Sequence, residues 1–474
     1  MQISFRSLSG AARPLALAAL SLAVVGALAV PQDASASAFQ LKENSAKGMG
    51  RAYAGSATAG GDVSVVANNP AAMTDLDGTY LQADVTAINF STKFSGSAHD
   101  ALGRPISGGK GGDAGTTLPV PALFFATKLS DRAHLGFGLS VPFGFQTEYD
   151  NDWMGRYNAI KSKFQSFDAT LSGSFDVSDT FSLGASVIAQ KTSAELTSAV
   201  NFNMVALGLA QQGVSAGALP PSFLQQVGIV VPPGSDGRAK IKGDDWGYGW
   251  QLGGYWKLTP NDRLALNYHS KIDHKLSGTG NFQMPANVTA LLSNPAVAPL
   301  LAGGVPFTHT TGKANFTTPA IASASYWHQA EKFGLGIDLA WTKWDVFKEL
   351  RVKYGNPAQP DSVETYNWRN TWYAAVGGDY YLNDKVTLRA GVSVDTTPTY
   401  AATRSPRVPD STRKFATVGI GYKASEHFEL NASYAHIFVN KAHLNGARSA
   451  TGDVLTGESD DYGNLLSLSA QYKF

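Results

Sequence analysis

Cysteine is absent from this chain of 474 residues, which excludes a disulfide scaffold and any thiolate-ligated metal site. Charge is scarce as well, 16% of the sequence against roughly 25% in ordinary globular domains. Neither sign dominates: Lys and Arg number 38, Asp and Glu 37, so the basic excess of a nucleic-acid binder is missing. No long apolar run follows Val30, and the mean hydropathy of −0.11 cannot supply the runs of about 20 apolar residues that a helical membrane bundle needs. What is plentiful is glycine, 49 residues, and aromatic side chains, 11%, which argue against disorder. A glycine- and aromatic-rich, charge-poor β-type chain remains.

The N-terminus reads as a targeting segment. Arg6 and Arg13 precede an uncharged apolar run from Leu15 to Val30, and the small residues Ala34-Ser35-Ala36-Ser37-Ala38 follow. That order of basic, apolar and small residues is a secretory signal peptide, here residues 1–36, rather than a membrane anchor. Its removal leaves equal numbers of basic and acidic residues, so steering toward a strongly charged partner is not expected.

The exported part alternates. Leu466, Leu468, Ala470, Tyr472 and Phe474 interleave with Ser467, Ser469, Gln471 and Lys473. Successive strand side chains point to opposite faces, so one face here is wholly apolar. The same pattern runs through 386–395, 428–435, 135–141 and 183–187. A soluble sandwich also alternates. Here, however, Gly and Ser lie mid-strand on the polar face, and Trp250, Trp256, Trp327, Trp341, Trp372, Tyr422, Tyr434 and Tyr472 lie near strand ends, where membrane girdles fall. Six short polar links and seven long loops, among them 197–244 and 276–310, predict fourteen strands. The fold expected is an all-β transmembrane antiparallel barrel over residues 79–474, in the outer membrane, with its N-terminus periplasmic. A barrel of that size needs a plug. Residues 37–78, rich in Gly, Ala, Asn and Asp but carrying Val63, Val65, Val66, Met73 and Leu76, are the expected hatch.

Specific motifs carry a resemblance. Ser37-Ala38-Phe39-Gln40-Leu41, Gly48-Met49-Gly50-Arg51-Ala52-Tyr53-Ala54-Gly55 and Asn68-Asn69-Pro70-Ala71-Ala72 come first. Pro142-Phe143-Gly144, Trp246-Gly247-Tyr248-Gly249-Trp250, Trp341-Thr342-Lys343-Trp344 and Pro409-Asp410-Ser411-Thr412-Arg413 follow in order. The whole mature chain resembles the FadL-type outer-membrane transporters of long-chain fatty acids and other hydrophobic compounds. The resemblance implies a fourteen-stranded barrel, an N-terminal hatch and a lateral opening at an inward kink of the third strand. It also implies that Asn69, within the gating motif Asn69-Pro70-Ala71, touches the kink near Gly144, and that Phe39 contacts a lumen pocket. The residues supply their own cause for a kink at Pro142, Phe143 and Gly144, because proline cannot donate to a ladder and glycine tolerates a bulge.

The function expected is passive uptake of long-chain fatty acids, with aromatic or alkane hydrocarbons as the alternative. Apolar residues in the loops at 197–244 and 276–310 suggest a surface capture groove, and Arg351 and Lys353 are the candidate head-group partners if a bulge between Trp344 and Glu349 turns Arg351 inward. Gly213-Val214-Ser215-Ala216-Gly217 matches the G-x-S-x-G pattern of a lipase but lacks its strand and helix. A general porin would line its lumen with opposed charge clusters. His269 and His274 stand at odd spacing and are expected on opposite faces. No catalytic residue, metal, cofactor or nucleic-acid partner is expected. Outer-membrane lipid and lipopolysaccharide are the expected surroundings, and the chain is expected to be a monomer.

Overall fold

The structure, a computed structural model, describes residues 40–58, 60–301 and 303–474. The signal peptide and Phe39 lie outside the described residues.

Nineteen strand segments join into one sheet that closes on itself. Five of the spans are built from two segments each, so the wall has fourteen spans. They are β1 (Thr79–His99), β2 (Thr117–Ser130), β3 (Ala133–Glu148), β4 (Lys161–Ser178), β5 (Phe181–Asn201) and β6 (Asp236–Lys257). Next come β7 (Asp262–His269 and Ile272–Gln283), β8 (Thr310–Thr318 and Ile321–Gln329), β9 (Phe333–Thr342 and Glu349–Tyr354) and β10 (Ser362–Thr365 and Thr371–Tyr381). The circuit ends with β11 (Val386–Asp395), β12 (Arg413–Lys423), β13 (Phe428–Val439 and Ala442–Arg448) and β14 (Val454–Lys473). β1 pairs with β14 from Tyr80–Lys473 to His99–Val454, which removes both sheet edges.

Alternation sorts the wall. Leu183, Val187, Leu335, Ile337, Val392, Ile420, Leu466 and Leu468 are exposed on the outer face, while polar partners point inward. Trp246, Tyr248, Trp372, Tyr422, Tyr434 and Tyr462 border that apolar belt. Trp327 does not join them. It is buried inside the barrel, with the Arg51 guanidinium 4.9 Å from its ring. Its place near a strand end says how high it sits, and only its parity says which way it points.

The long connections are shorter than the sequence suggests, because the wall rises beyond the apolar belt. β5 and β6 pair as far as Asn201–Asp236, deep into the expected loop at 197–244. What caps that hairpin is helical: α1 (Phe202–Ser215) and α2 (Ser222–Val230), packed with α3 (Ala286–Leu292) over Phe223, Val227, Val288 and Leu291. Ser215 is therefore the last residue of a helix, where its hydroxyl accepts from the Gln211 amide at 3.2 Å.

The lumen holds the described residues between 40 and 78. Two single turns, Ala46–Met49 and Val65–Asn68, and a 3-10 turn, Pro70–Asp75, lie against the wall. Val63, Val65, Val66, Met73 and Leu76 are buried with Phe124, Tyr255 and Ala265 of the barrel. Polar ties complete the seat. Arg51 pairs with Asp379 at 3.1 Å, Lys47 with Glu429 at 3.0 Å, and Arg389 bridges toward Asp379 at 3.4 Å. These charges were invisible as a set in the sequence, where each looked isolated.

Candidate functional site: an interrupted ladder behind a stoppered lumen

The lower half of β3 alternates regularly, with Leu135 and Phe137 outward and Gly136 and Gly138 inward. From Ser140 to Thr147 the alternation stops and every residue but Pro142 is buried. The β3–β4 register slips by one residue between Ser140 and Phe143, so Val141-Pro142 forms a bulge. On the other edge, the β2–β3 ladder ends at Leu123–Leu139, while β2 keeps its ladder to β1 up to Thr117–Asn89. The wall is thus unzipped between β2 and β3 where β3 bends inward. The freed Pro142 carbonyl accepts from the Leu41 N–H at 2.7 Å, and Gln40 bridges Phe143, so the start of the hatch takes the place of a missing strand.

Behind the kink is a pocket of about 130 Å³. Leu41 and Tyr53 of the hatch, Pro142 and Phe143 of the kink, and Ile188, Ile321 and Ala340 line it, with Asp168, Asp338 and His269 at its polar margin. Above it an aromatic cluster fills the lumen. Phe143 meets Trp344 at 5.9 Å, Trp344 meets Trp368 at 5.0 Å, and Phe164 meets Phe316 at 4.7 Å between ring centroids. On its far side lies an outer cavity of about 570 Å³, within the usual range of ligand pockets. Met204, Val205 and Leu209 of α1, Phe282, Phe307, Leu350, Val352 and Tyr354 make it apolar. Its lining charges are Arg407 and Glu364, paired at 3.1 Å, and Asp361, which holds Arg351; Arg407 also donates to the Ser162 hydroxyl at 3.1 Å.

The candidate residues separate on this geometry. The β3 bulge falls at Val141-Pro142, and Phe143 and Gly144 follow it, buried and back in register opposite Ser166 and Gln165. Asn69 does not contact it as the resemblance implied. Its carboxamide donates to the Gly254 carbonyl at 3.3 Å, abuts Gly253 and caps the Pro70 turn by accepting from the Ala71 N–H, all on the β6 side of the lumen. Arg351 and Lys353 are not turned inward. A 3-10 turn, Trp344–Val346, does interrupt β9, but beyond it Leu350, Val352 and Tyr354 take the inner face. Arg351 pairs with Glu349 and Asp361 instead, and Lys353 is exposed. His269 and His274 both point inward, because the break at Ser270-Lys271 shifts the parity of β7 by one. Among the described residues no His, Asp and Glu come together as a metal site. Arg407, absent from the sequence reading, lies two residues before Pro409-Asp410, in a loop where no alternation reports orientation.

A closed strand barrel with an apolar outer belt, stoppered by its own N-terminal segment and unzipped at one seam, is an outer-membrane channel for hydrophobic compounds. The family model described as outer membrane protein transport protein (OMPP1/FadL/TodX) matches residues 27–474, and the chain belongs to that family of Gram-negative outer-membrane transporters, which are not enzymes. Outer membrane protein P1 of Haemophilus influenzae is 27% identical over 479 residues, covering 96% of this chain and 99% of its own. The long-chain fatty acid transport protein of Escherichia coli O6:H1 is 28% identical over 421 residues, covering 88% and 90%. Among solved structures, a Pseudomonas aeruginosa FadL homologue superposes with a TM-score of 0.83 at 33% identity, over 93% of this chain and 100% of that one. The Pseudomonas putida toluene transporter TodX shares the fold, with a TM-score of 0.65 at 17% identity, over 93% and 100%.

Proposed function

We propose that the barrel takes up long-chain fatty acids by passive diffusion and releases them sideways into the membrane between β2 and β3. The observation that carries this is the end of the β2–β3 ladder at Leu123–Leu139, with a pocket directly behind the inward bend. A solute leaving there enters lipid without crossing the polar outer layer. Burying a CH₂ is worth about 0.8 kcal/mol, so a tail of about sixteen carbons has a gross drive of about 12 kcal/mol into an apolar pocket. Ordering takes back much of that. An ion pair at the head adds about 1 kcal/mol. The tail therefore drives entry, and the head group selects.

In this reading the outer cavity captures the solute, with Arg407 facing the carboxylate. The tail then crosses the aromatic cluster into the inner pocket. A shift of the hatch breaks the Leu41–Pro142 bond and clears the kink at Pro142, Phe143 and Gly144, with Asn69, Pro70 and Ala71 as the pivot against β6. Growth on oleate as sole carbon source, with and without the gene, is the test, and equal growth would sink the proposal. The aromatic cluster between the cavities favours a second reading, uptake of aromatic hydrocarbons. Labelled toluene and oleate, presented to the same cells, distinguish the two. Arg407→Gln should weaken oleate binding at least about fivefold, about 1 kcal/mol for the one ion pair lost, and leave toluene unaffected.

A further inference from the structure

Charges on the outer wall at and above the girdle are mostly matched. Glu195 holds Lys240 at 2.9 Å and Lys242 at 3.0 Å, Lys271 holds Asp273 at 2.9 Å, Lys191 holds Asp244, and Arg351 holds Glu349 and Asp361. Three neighbouring lysines depart from this together. In the β8–β9 ladder Lys313 stands directly opposite Lys353, and in the β7–β8 ladder it stands opposite Ser277, two residues from Lys275. All three are exposed, while Leu276, Ala314 and Val352 between them turn inward. Among the described residues none of the three ammonium groups has a carboxylate partner, and the Asp245 carboxylate takes only the Lys275 backbone N–H, at 2.8 Å. Like charges directly opposite on a sheet face destabilise it, so this arrangement is costly unless an anion sits over it.

Height says where that anion comes from. Ser277 is level with Asp244, two residues above Trp246, whose exposed ring marks the outer edge of the belt together with Tyr248. At about 3.3 Å per residue Lys313 and Lys353 stand about 7 Å along the wall above that ring and Lys275 stands level with it, at head-group depth. The outer leaflet there is lipopolysaccharide, whose lipid anchor carries phosphate on its sugars. Ammonium groups are compact point charges suited to phosphate. We propose that Lys275, Lys313 and Lys353 form a site for the phosphate of an outer-leaflet lipopolysaccharide, which holds the β7–β9 wall upright in the leaflet.

The test uses the full mature barrel, extracted from outer membranes, with lipopolysaccharide retained per barrel measured by native mass spectrometry. Heat-dependent gel migration confirms folding. Lys275→Gln with Lys313→Gln and Lys353→Gln should lower retention at least roughly tenfold. Wild-type barrel offered lipopolysaccharide stripped of its phosphates in vesicles should fall to the same level. The three Lys→Arg changes should keep it, and Lys191→Gln with Lys271→Gln, whose charges are already paired, should leave it unchanged. If the triple variant fails to fold, Lys313→Gln alone, which removes the opposed pair, carries the comparison. Equal retention by the glutamine variant, or by the wild type with dephosphorylated lipid, overturns the site. Oleate uptake is scored separately and bears only on the transport reading.

Discussion

At the scale of single residues, the inward-facing glycines act as a mould for the hatch. A Cβ on Gly377 would stand 2.2 Å from the Arg51 carbonyl oxygen, and one on Gly253 would stand 1.9 Å from the Asn69 side-chain oxygen. Neither approach tolerates a side chain without movement. Gly377→Ala should therefore lift the hatch at a cost of about 1–3 kcal/mol. Hydrogen exchange over residues 46–58 should accelerate accordingly, while Gly208→Ala, in open space on α1, should leave it unaltered. Arg51→Gln removes one of two guanidinium partners from buried Asp379 and should cost about 1.5–3 kcal/mol in the same measurement. The sequence shows such glycines mid-strand on the polar face. It does not show what approaches them.

At the scale of elements, the bulge in β3 is legible in the sequence and the end of the β2–β3 ladder is not. Pro142 and Gly144 announce a bulge, but the loss of the β2–β3 ladder involves β2 residues that carry no such mark. A lateral exit predicts that closing the seam stops transport. The chain has no cysteine, so Pro121→Cys with Val141→Cys introduces the only two thiols. Joining them with a thiol-reactive bridge should abolish oleate uptake, and reducing the bridge should restore it. Undiminished uptake in the bridged protein would rule out the seam as the exit. Interrupted strands explain the misplaced side chains. Parity carries orientation only while the ladder is unbroken: the break at Ser270-Lys271 reverses it for His274, whereas the turn at Trp344–Val346 leaves it unchanged and keeps Arg351 outward.

At the scale of the whole molecule, closure and stopper belong together. Liposomes bearing the intact barrel should swell slowly in small sugars, and removal of residues 40–78 should make swelling fast, because the seated segment fills the lumen. Equal rates would mean that the hatch does not seal. Strand count, barrel class, export and the existence of a hatch were readable along the chain, because each rests on local periodicity or on composition. Tyr472 and Phe474 declare an outer face without reference to any other strand. The ion pairs of Lys47 and Arg51, the aromatic cluster around Trp344 and Trp368, and the place of Arg407 in the outer cavity join residues hundreds of positions apart or in loops without a repeat. Only the closed barrel decided them, since it is closure that sets which inward side chains meet across the lumen.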